Sequence, residues 1–590
     1  MNFNGDIRRC ILRRLIKSIQ QPKIQSVLII LLFSILLIVP QIYFHAIILG
    51  ADSIFHFNRF YDTAMQIKTG HFSYFMSLYG FNQSGRIVNA LYGPVVAYLN
   101  GAVLALVNSW FKYQIITNIL LNFVAGFGFY KLSKYAGAKN NVATLMAIVY
   151  MNSYWVTAWS DSQKFSAWGA VLIPYVIMQA LPMLKRQDAK IHYGALAIVM
   201  AITIQTHMLS ALFSVLVLIP FALVGFFTTR HKVTFVREGC LAVGLTIILT
   251  GNIWGGMLDI YGSDNLLKPY PQYDLQAVAT SFSWGHDSFG TLGLISSCLF
   301  AIQLLLVFKR VSFISFTNRV LTYVGATFLL LSSDIMPWNT IGKHLPVLYS
   351  FLQFPFRLVI LSNVLLLLAV SLTLSSSFGQ KISHLTTVMV LIVVLLTTFN
   401  LQKKVTISQK WLSGNVLTYR NKIIYKDKNP DVIRAAFKDK NLGKPFTILQ
   451  KGTPDYLPIQ QQGNLWQKNS FKPYRANIKA TFLNNIKVNK SVNQQQHLVL
   501  SWQGNQVRNV ILPVYKYTHS VTTFNHKRIS SRGLKANIIG AVEVKQQKGA
   551  NIFEIGYQPS YIFKMVSILT ALAWLLVLAR SLQIIMVKEK

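Results

Sequence analysis

Three residues that could do acid–base or phosphate chemistry follow the first long apolar stretch of the chain. Asp52, His56 and Arg59 lie at positions i, i+4 and i+7, a spacing that places them on one side of a helix. A carboxylate, an imidazole and a guanidinium on one stripe can bind a metal ion or a phosphate and can move a proton. The alternative is an interfacial amphipathic helix whose polar side is simply wetted.

Asp161 and Lys164 form a second polar group, in the tryptophan-rich loop 154–169. Tryptophans at a membrane interface are ordinary anchors, so the acid is the more informative residue. Asp161 could share a cation with Asp52, or it could pair with Lys164, and the pairing is the favoured interpretation.

Two further polar motifs border apolar segments. Thr206-His207 lies at a turn between two apolar runs, where it could be a ligand or proton-transfer group facing a cavity, or a turn histidine in contact with water. Gln353 and Arg357 open a later apolar run. Because Arg in hydrocarbon costs about 2.5 to 3.5 kcal/mol on insertion scales, we expect Arg357 at the boundary, facing an anion or snorkelling to lipid phosphate. Its planar donors suit phosphate.

Motifs typical of soluble enzymes are missing from the sequence. It has no phosphate-cradling glycine-rich loop with Lys, no His-Glu metalloprotease pair and no paired cysteine motif. Chemistry powered by a cytoplasmic nucleotide is therefore not expected.

The elements that must position these residues are membrane-spanning helices. The chain has 590 residues, of which 53% are hydrophobic and only 13% charged, and its apolar runs are too long for a soluble core. The first run is an uncleaved span rather than a secretory signal, since similar runs recur along most of the sequence. We predict a polytopic α-helical membrane protein with about twelve spans. They lie at roughly 26–49, 113–131, 142–158, 167–184, 192–207, 209–228, 239–257, 291–308, 319–333, 357–376, 383–399 and 561–586.

The basic loops predict which ends of the spans face the cytoplasm. The tail 1–25 carries six Lys and Arg, and short loops rich in these residues stay cytoplasmic, so the first span runs outward and Asp52 lies outside. Segment 87–110 is ambiguous, because it resembles a span but contains asparagines and Tyr92-Gly93-Pro94. Treating it as an interfacial or re-entrant helix keeps the later basic loops inside and puts both termini in the cytoplasm.

A basic domain precedes the last span. Residues 400–559 carry 26 Lys and Arg against 6 Asp and Glu, a net charge of +20 within the +39 of the whole chain. Such a surface attracts anionic polymers or lipid headgroups, unless it is simply a basic solvated surface. On the sidedness above, this domain lies outside the cell.

Short β-branched and aromatic runs predict that this domain is mostly β, built as a small sandwich, with a helix within 415–436. The predicted strands are 497–502, 510–515, 520–524, 537–544 and 551–557. The domain folds without disulfides, because the three cysteines, Cys10, Cys240 and Cys298, lie outside it.

The predicted organisation therefore has four parts. They are a cytoplasmic tail at 1–25, a transmembrane domain at 26–399 with an outer loop at 50–112, the extracytoplasmic domain at 400–559, and a last span with a cytoplasmic tail at 560–590.

Several short motifs, taken in their order and sidedness, resemble one known group. The motifs are Gly50-Ala51-Asp52 with Phe55-His56 and Arg59, Tyr92-Gly93-Pro94, Thr206-His207 with Leu209-Ser210, Gln353-Phe354-Pro355-Phe356-Arg357, Asp455-Tyr456-Leu457-Pro458, and Leu512-Pro513 with Tyr515. Spread over nearly the whole chain, they resemble the bacterial YfhO-like and 6-pyruvoyl-tetrahydropterin synthase-related-domain membrane proteins. These look like members of the GT-C glycosyltransferase superfamily.

The resemblance implies a GT-C-like fold and a transferase that moves a sugar from a polyprenyl-phosphate carrier to a cell-envelope acceptor outside the membrane. It makes Asp52 the catalytic or metal-linked acid. The remaining polar residues become candidates for substrate binding: His56, Arg59, His207, Gln353 and Arg357, the last by position for the lipid phosphate. The superfamily pattern expects another acid near Lys164 to Gly169, where only Asp161 is available. A divalent cation at Asp52 and Asp161 is the candidate cofactor.

The expected partners are a polyprenyl-phosphate-linked sugar, an anionic envelope polymer or lipid, and the bacterial plasma membrane, with no nucleic acid. Two other classes stay open. A transporter or flippase would need polar residues through the midplane spans and often two similar halves. A non-catalytic scaffold for envelope assembly would use the β domain to bind polymer, and it would keep working when Asp52 is replaced by Asn.

Overall fold

The computed structural model describes residues 20–309, 312–381, 384–418, 423–460, 472–484 and 486–588. Most of the predicted basic tail, with Cys10, lies outside these residues. The chain is mostly helical and has a separate β region near its C-terminus, which confirms this part of the predicted architecture.

Helices occupy most of the chain up to residue 412. The α-helices are α1 (Pro22–Leu36), α2 (Val39–Tyr43), α3 (Ser53–Thr69), α4 (Pro94–Val107), α5 (Trp110–Tyr135), α6 (Asn140–Met151), α7 (Tyr154–Ser162), α8 (Ser166–Ala170), α9 (Ile173–Ala180), α10 (Tyr193–Thr206), α11 (Met208–Thr228), α12 (Lys232–Leu249), α13 (Gly251–Tyr261), α14 (Leu294–Phe308), α15 (Phe316–Ser332), α16 (Trp338–His344), α17 (Val359–Ser375), α18 (Ser377–Lys381), α19 (Leu385–Leu412), α20 (Pro430–Lys438), α21 (Lys444–Ile448), α22 (Lys472–Thr481) and α23 (Tyr561–Lys588).

Within the described residues, six helical segments are long and apolar enough to cross a membrane. They are Trp110–Tyr135, Ser166–Leu184, Met208–Thr228, Pro355–Ser375, Leu385–Leu412 and Tyr561–Ile584. A seventh candidate is the pair α12 and α13, bent by 65° where they meet. Five other apolar helices have only 10–17 residues, fewer than the roughly 20 that a hydrocarbon core requires. The helices thus support a membrane protein with six or seven candidate spans by length.

The first predicted span, 26–49, is wrong as a single helix. Helix α1 ends at Leu36 and a short α2 follows from Val39. Pro40 explains the break, because proline lacks an N–H and its ring collides with the carbonyl four residues earlier, which here belongs to Leu36.

Helix α19 extends well past the predicted end of its span at residue 399. It has 28 residues, or about 42 Å at 1.5 Å per residue, which exceeds a hydrocarbon core of roughly 30 Å. Lys403 and Lys404 are therefore on a helix continuous with the transmembrane domain, and the predicted domain boundary at Asn400 falls inside that helix.

The ambiguous segment 87–110 contains the 14-residue helix α4, about 21 Å long. It packs against α3, where Thr63 Oγ1 donates a hydrogen bond to the carbonyl of Ala97 at 2.8 Å. A Cβ on Gly101 would overlap Thr63 Oγ1, so the glycine permits this close approach. The length of α4 favours an interfacial or re-entrant helix over a full span.

The C-terminal β region is the predicted two-sheet arrangement. Its strands are β5 (Asn489–Val492), β6 (Leu498–Gly504), β7 (Arg508–Tyr515), β8 (Ser520–Phe524), β9 (Lys527–Ser530), β10 (Ala541–Gln546) and β11 (Gly549–Tyr557). One antiparallel sheet has the order β5-β6-β11-β8-β9, and β10 pairs with β7 separately. Buried residues of both sheets share one core, with Leu500 and Phe553 from the first and Leu512 and Val544 from the second.

Short strands also occur before this region: β1 (Ser281–Ser283) pairs with β2 (Thr291–Gly293), and β3 (Ile423–Tyr425) pairs with β4 (Leu449–Lys451). The helix predicted within 415–436 is α20, which begins later, at Pro430, after the N-cap Asn429. The backbone N–H of Thr418 donates to the carbonyl of Leu49 at 2.9 Å. The segment before the β region therefore contacts the chain just before Asp52.

Candidate functional site

The first two outer loops of the sequence prediction are joined by hydrogen bonds from the backbone N–H groups of Gly50 and Asp52. The N–H of Gly50 donates to Gln163 Oε1 at 2.8 Å, and the N–H of Asp52 lies 3.3 Å from the carbonyl oxygen of Ser162. A Cβ on Gly50 would overlap the backbone of Ser162. Glycine is therefore required where these two segments cross, and the crossing fixes Asp52 beside the end of α7.

Asp52 is a half-exposed carboxylate with a buried cationic neighbour. It precedes α3 as the N-cap residue, but its side chain makes no capping hydrogen bond. Lys451 Nζ lies 3.7 Å from Asp52 Oδ1, with side-chain exposures of 7% and 42%. The same ammonium donates to the carbonyl of Ala51 at 2.6 Å. The last residue of β4 thus helps to form the surroundings of the candidate acid.

His56 and Arg59 are buried below Asp52 rather than facing an open site. Arg59 Nε donates to Asn89 Oδ1 at 2.9 Å, its Nη1 lies 3.2 Å from His56 Nδ1, and its Nη2 donates to the carbonyl of Tyr92. Burial lowers the pKa of His56 well below its usual value, and Arg59 lowers it further, so the imidazole is neutral at physiological pH. Arg59 therefore binds the backbone of Tyr92 within the protein. This structural role differs from the substrate-binding role that the sequence predicted.

The Tyr92-Gly93-Pro94 and Thr206-His207 motifs meet directly. Gly93 has φ +64°, and a Cβ there would overlap the carbonyl oxygen of Thr206. His207 Nδ1 accepts from the N–H of Ser210 at 3.3 Å, so the neutral ring carries its proton on Nε2. This Nε2 lies 3.4 Å from the hydroxyl oxygen of Tyr92. His207 consequently caps α11 and orients the Tyr92 phenol.

Arg357 is positioned by its own turn. It lies in a 3-10 helix, Pro355–Leu358, that leads into α17, and its guanidinium donates to the carbonyl of Leu352 at 2.7 Å and lies 3.5 Å from Gln353 Oε1. Gln353 in turn donates to the carbonyl of Tyr270 at 2.9 Å. Arg357 interacts electrostatically with Asp52 and Tyr92, so the predicted outer-face residues converge.

Lys164 is a second cationic residue of the site, beside Arg357. Its Nζ lies 2.8 Å from the hydroxyl of Tyr154 and 3.7 Å from the ring centroid of Phe289. Burial lowers the pKa of Lys164 to about 8; Asp52 acts in the opposite direction, and Arg357 lowers the pKa further. Lys164 and Arg357 are thus two cationic groups close enough to act electrostatically on the Asp52 carboxylate, whose direct ionic contact is with Lys451.

Asp161 does not pair with Lys164, which corrects the favoured interpretation. Lys403 Nζ lies 2.9 Å from Asp161 Oδ2, and Lys404 Nζ contacts Asp161 Oδ1. Burial raises the pKa of Asp161, but the two lysines outweigh burial and hold that pKa below its usual value. Each carboxylate oxygen therefore already faces an ammonium group.

A cation shared by Asp52 and Asp161 does not fit this arrangement. Across the part of the chain that the structure describes, no group of three or more His, Cys, Asp or Glu side chains could hold a metal ion. Asp161 is instead an ionic anchor between α7 and α19.

An apolar groove adjoins this site. Its volume is about 460 Å³, and its walls come from α4, α5, α10, α23 and the segment around α8. The lining includes Val95, Leu99, Trp168, Thr206 and Trp574. Val95 and Leu99 are exposed side chains, whereas Thr206 immediately precedes His207, so the groove runs from the apolar surface to the edge of the polar site.

The structure adds residues that sequence reasoning missed. Lys451 and Tyr456 come from the region after α19, and both interact electrostatically with the outer-face residues, Lys451 with His56 and Tyr456 with Arg357. Buried Arg86 donates to the carbonyl of Asp455 at 2.5 Å and thereby holds the Asp455-Tyr456 turn. Tyr456 belongs to a motif singled out in the sequence, but nothing distinguished Lys451 from the other lysines of its basic domain. Comparison with family models, with curated proteins and with solved structures finds no match to this chain.

Proposed function

We propose that this protein is a membrane glycosyltransferase that moves a sugar from a polyprenyl-phosphate donor to a cell-envelope acceptor on the outer face of a bacterial plasma membrane. The proposal includes the finer topology: about twelve spans, counting the shorter helices, with both termini in the cytoplasm and the basic β domain outside. One observation carries it. A half-exposed carboxylate, Asp52, interacts with the cationic groups of Lys164 and Arg357 beside an apolar groove.

Asp52 is the group that meets the acceptor. Its carboxylate accepts the proton of an acceptor hydroxyl while the hydroxyl oxygen forms a bond to the anomeric carbon of the sugar. The bond between that carbon and the phosphate oxygen breaks, and its electron pair leaves with the polyprenyl phosphate. The side-chain exposure of Asp52, 42%, supports this role, since the other candidate groups of its stripe are buried.

Lys164 and Arg357 stabilise the departing phosphate. Negative charge grows on the leaving oxygen during the reaction, and fixed cations in a water-poor site stabilise that charge more strongly than water would. Arg suits phosphate because its planar donors can bind two oxygens at once. His207 contributes by orienting the Tyr92 phenol at the same edge, and Gln353 contributes by holding the Arg357 turn.

The apolar groove supports a lipid-linked donor rather than a soluble one. A polyprenyl chain is a long hydrocarbon, and a groove lined by apolar side chains accommodates it without exposing it to water. The groove is lined almost entirely by apolar side chains and reaches Thr206, next to His207. A chain lying there would bring its phosphate to the polar site.

The basic domain supports an anionic acceptor. Residues 400–559 carry a net charge of +20, which attracts polyanions such as teichoic-acid-type polymers. Lys451 connects this domain to the candidate acid through its contacts with Asp52 and Ala51. An acceptor polymer held on the domain would therefore end near Asp52.

The test compares wild type, Asp52→Asn and a matched control in a strain deleted for the gene. The control is Asp431→Asn, which changes a carboxylate with 84% side-chain exposure on α20. Purified wall and lipid-linked polymers are analysed for sugar content by mass spectrometry, with protein levels checked by immunoblot. We expect wild type and the control to add the same sugar to the polymers. With Asp52→Asn, the amount of that sugar should fall at least about 100-fold, within the range that general-base catalysis contributes. Equal polymer profiles for wild type and Asp52→Asn would refute the proposal and favour a scaffold or a transporter.

A further inference from the structure

A polar cavity lies where the β region meets two candidate membrane segments, away from the site around Asp52. Its volume is about 660 Å³, within the range typical of small-molecule sites. Strands β8 and β9 form one wall, and residues 558–561 form another. Tyr561 is the first residue of α23.

The lining is unusually rich in hydroxyl groups. Several of these hydroxyls already donate to backbone carbonyls, as Thr522 does to Ile529 at 2.7 Å and Ser531 does to Thr518 at 2.7 Å. A hydroxyl oxygen that has donated its proton still accepts hydrogen bonds. The cavity therefore offers acceptors that suit a ligand which itself carries hydroxyl groups.

The guanidinium of Arg528 is a cationic group in the same lining. It is exposed on β9, and among the described residues its guanidinium has no hydrogen-bond or ion-pair partner. Arg532, next to the lining residue Ser531, and Lys564, in the first turn of α23, are also exposed. Arg528 in the lining, with Arg532 and Lys564 exposed close by in the chain, favours an anionic ligand, and an unpaired guanidinium suits a phosphate.

Two carboxylates border the cavity, Asp259 and Asp264, and both are held by hydrogen bonds; Asp264 accepts from the N–H of the lining residue Thr518 at 3.0 Å and from its hydroxyl at 2.9 Å. Asp259 accepts from the Tyr557 hydroxyl at 2.8 Å and from the N–H of Ser560 at 2.9 Å, and His519 Nδ1 lies 3.5 Å from its Oδ2. These contacts also fix the floor of the cavity to the end of α13. These hydrogen bonds partly screen the two carboxylates from an anionic ligand.

The position of the cavity favours a membrane lipid as the source of a phosphate bound there. Both α13 and α23 belong to candidate membrane segments, and they meet at this floor. Below the cavity, α23 exposes Ile562, Met565 and Ile568, which would lie against acyl chains. A phosphate bound in the cavity would have this apolar helix surface directly beneath it, as the phosphate of a lipid headgroup does.

We propose that this cavity binds the headgroup of an anionic phospholipid with a hydroxylated, glycerol-type headgroup. Arg528 binds the phosphodiester, the hydroxyl-lined wall accepts hydrogen bonds from the headgroup hydroxyls, and the exposed side of α23 contacts the acyl chains. The site is separate from the proposed transferase site and does not depend on it.

The test uses full-length protein in detergent, with phosphatidylglycerol and phosphatidylcholine as probes and native mass spectrometry as the readout. The variants are Arg528→Gln and Arg508→Gln, which both change an exposed Arg on a strand of the same domain, β9 and β7. We expect wild type and Arg508→Gln to retain phosphatidylglycerol in preference to phosphatidylcholine. We expect Arg528→Gln to lose at least about tenfold in affinity for phosphatidylglycerol, the loss typical of a charged hydrogen bond.

Two outcomes would overturn this proposal. One is equal retention of phosphatidylglycerol by Arg528→Gln and wild type, or no preference over phosphatidylcholine. The other is displacement of bound phosphatidylglycerol by a soluble glycerol-phosphate oligomer at an equal concentration, which would assign the cavity to a polymer instead of the membrane.

Discussion

Replacing Asp161 by Asn is expected to destabilise the protein without changing the proposed sugar transfer. The substitution removes the anion that faces Lys403 and Lys404 but keeps the size of the side chain. Lys404 would then carry a buried charge without a carboxylate.

The magnitude follows from the burial of the pair. The side chains of Asp161 and Lys404 are 8% and 5% exposed, and removing one partner of a buried ion pair costs about 3–5 kcal/mol. Lys404→Met costs less, about 1–3 kcal/mol, because Lys403 still pairs with Asp161. The double variant has no orphaned charge at position 404, so we expect its cost to fall short of the sum of the two single costs by about 1–3 kcal/mol.

The assay is the unfolding transition of full-length protein in detergent for wild type, both single variants and the double variant. Asp431→Asn, which removes an exposed carboxylate, is the control and should be nearly neutral. Sugar transfer by the folded double variant is measured in parallel and should persist. If the stability costs of the two single variants simply add in the double variant, the buried-pair reasoning is refuted. A stable but inactive double variant would indicate that Asp161 takes part in the reaction.

Two further predictions concern the backbone at the site and the pH dependence of stability. The Gly93→Ala variant should be less stable than the Gly70→Ala variant. Both positions have a positive φ, which costs about 1–2 kcal/mol for Ala, but only at Gly93 would the added Cβ also overlap Thr206. Equal thermal unfolding transitions for the two variants would contradict this. Burial lowers the pKa of Lys490 from 10.5 to about 7, so the unfolded chain binds more protons between these values and stability should rise with pH across this window. Unfolding measured from pH 7 to 10 should show this rise in wild type and a flatter profile in Lys490→Met.

Much of the fold could be predicted because it depends on local pattern. The runs 510–515 and 520–524 are short and rich in β-branched and aromatic residues, a composition typical of strands, and they fall within β7 and β8. The positive-inside reasoning assigned Asp52 and Arg357 to the same predicted face, and the structure places them within electrostatic range of each other.

Other features depend on contacts that no local pattern encodes. Asp161 has Lys164 three residues away in sequence, yet its partners are Lys403 and Lys404 on α19. Lys451 reaches Asp52 across roughly 400 residues. The stripe of Asp52, His56 and Arg59 was predicted correctly as a helical spacing, but the burial of Arg59 depends on Asn89 and Tyr92 packing over it.

The number of spans was the least predictable feature, for a physical reason. Hydropathy detects apolar runs, but it does not detect where a helix stops. Pro40 ends the first helix early, whereas α19 continues through polar residues to Leu412 because tertiary contacts such as the Asp161 pair stabilise its outer end.

The contact between Lys451 and the Asp52 segment has a consequence for biogenesis. A ribosome makes Asp52 early, and N-terminal regions fold first during synthesis. The lysine that completes its surroundings emerges some 400 residues later and, in the proposed topology, must first be exported. The nascent chain therefore inserts into the membrane with its candidate acid incomplete, so that maturation of this centre is delayed until the late, exported part of the chain has docked.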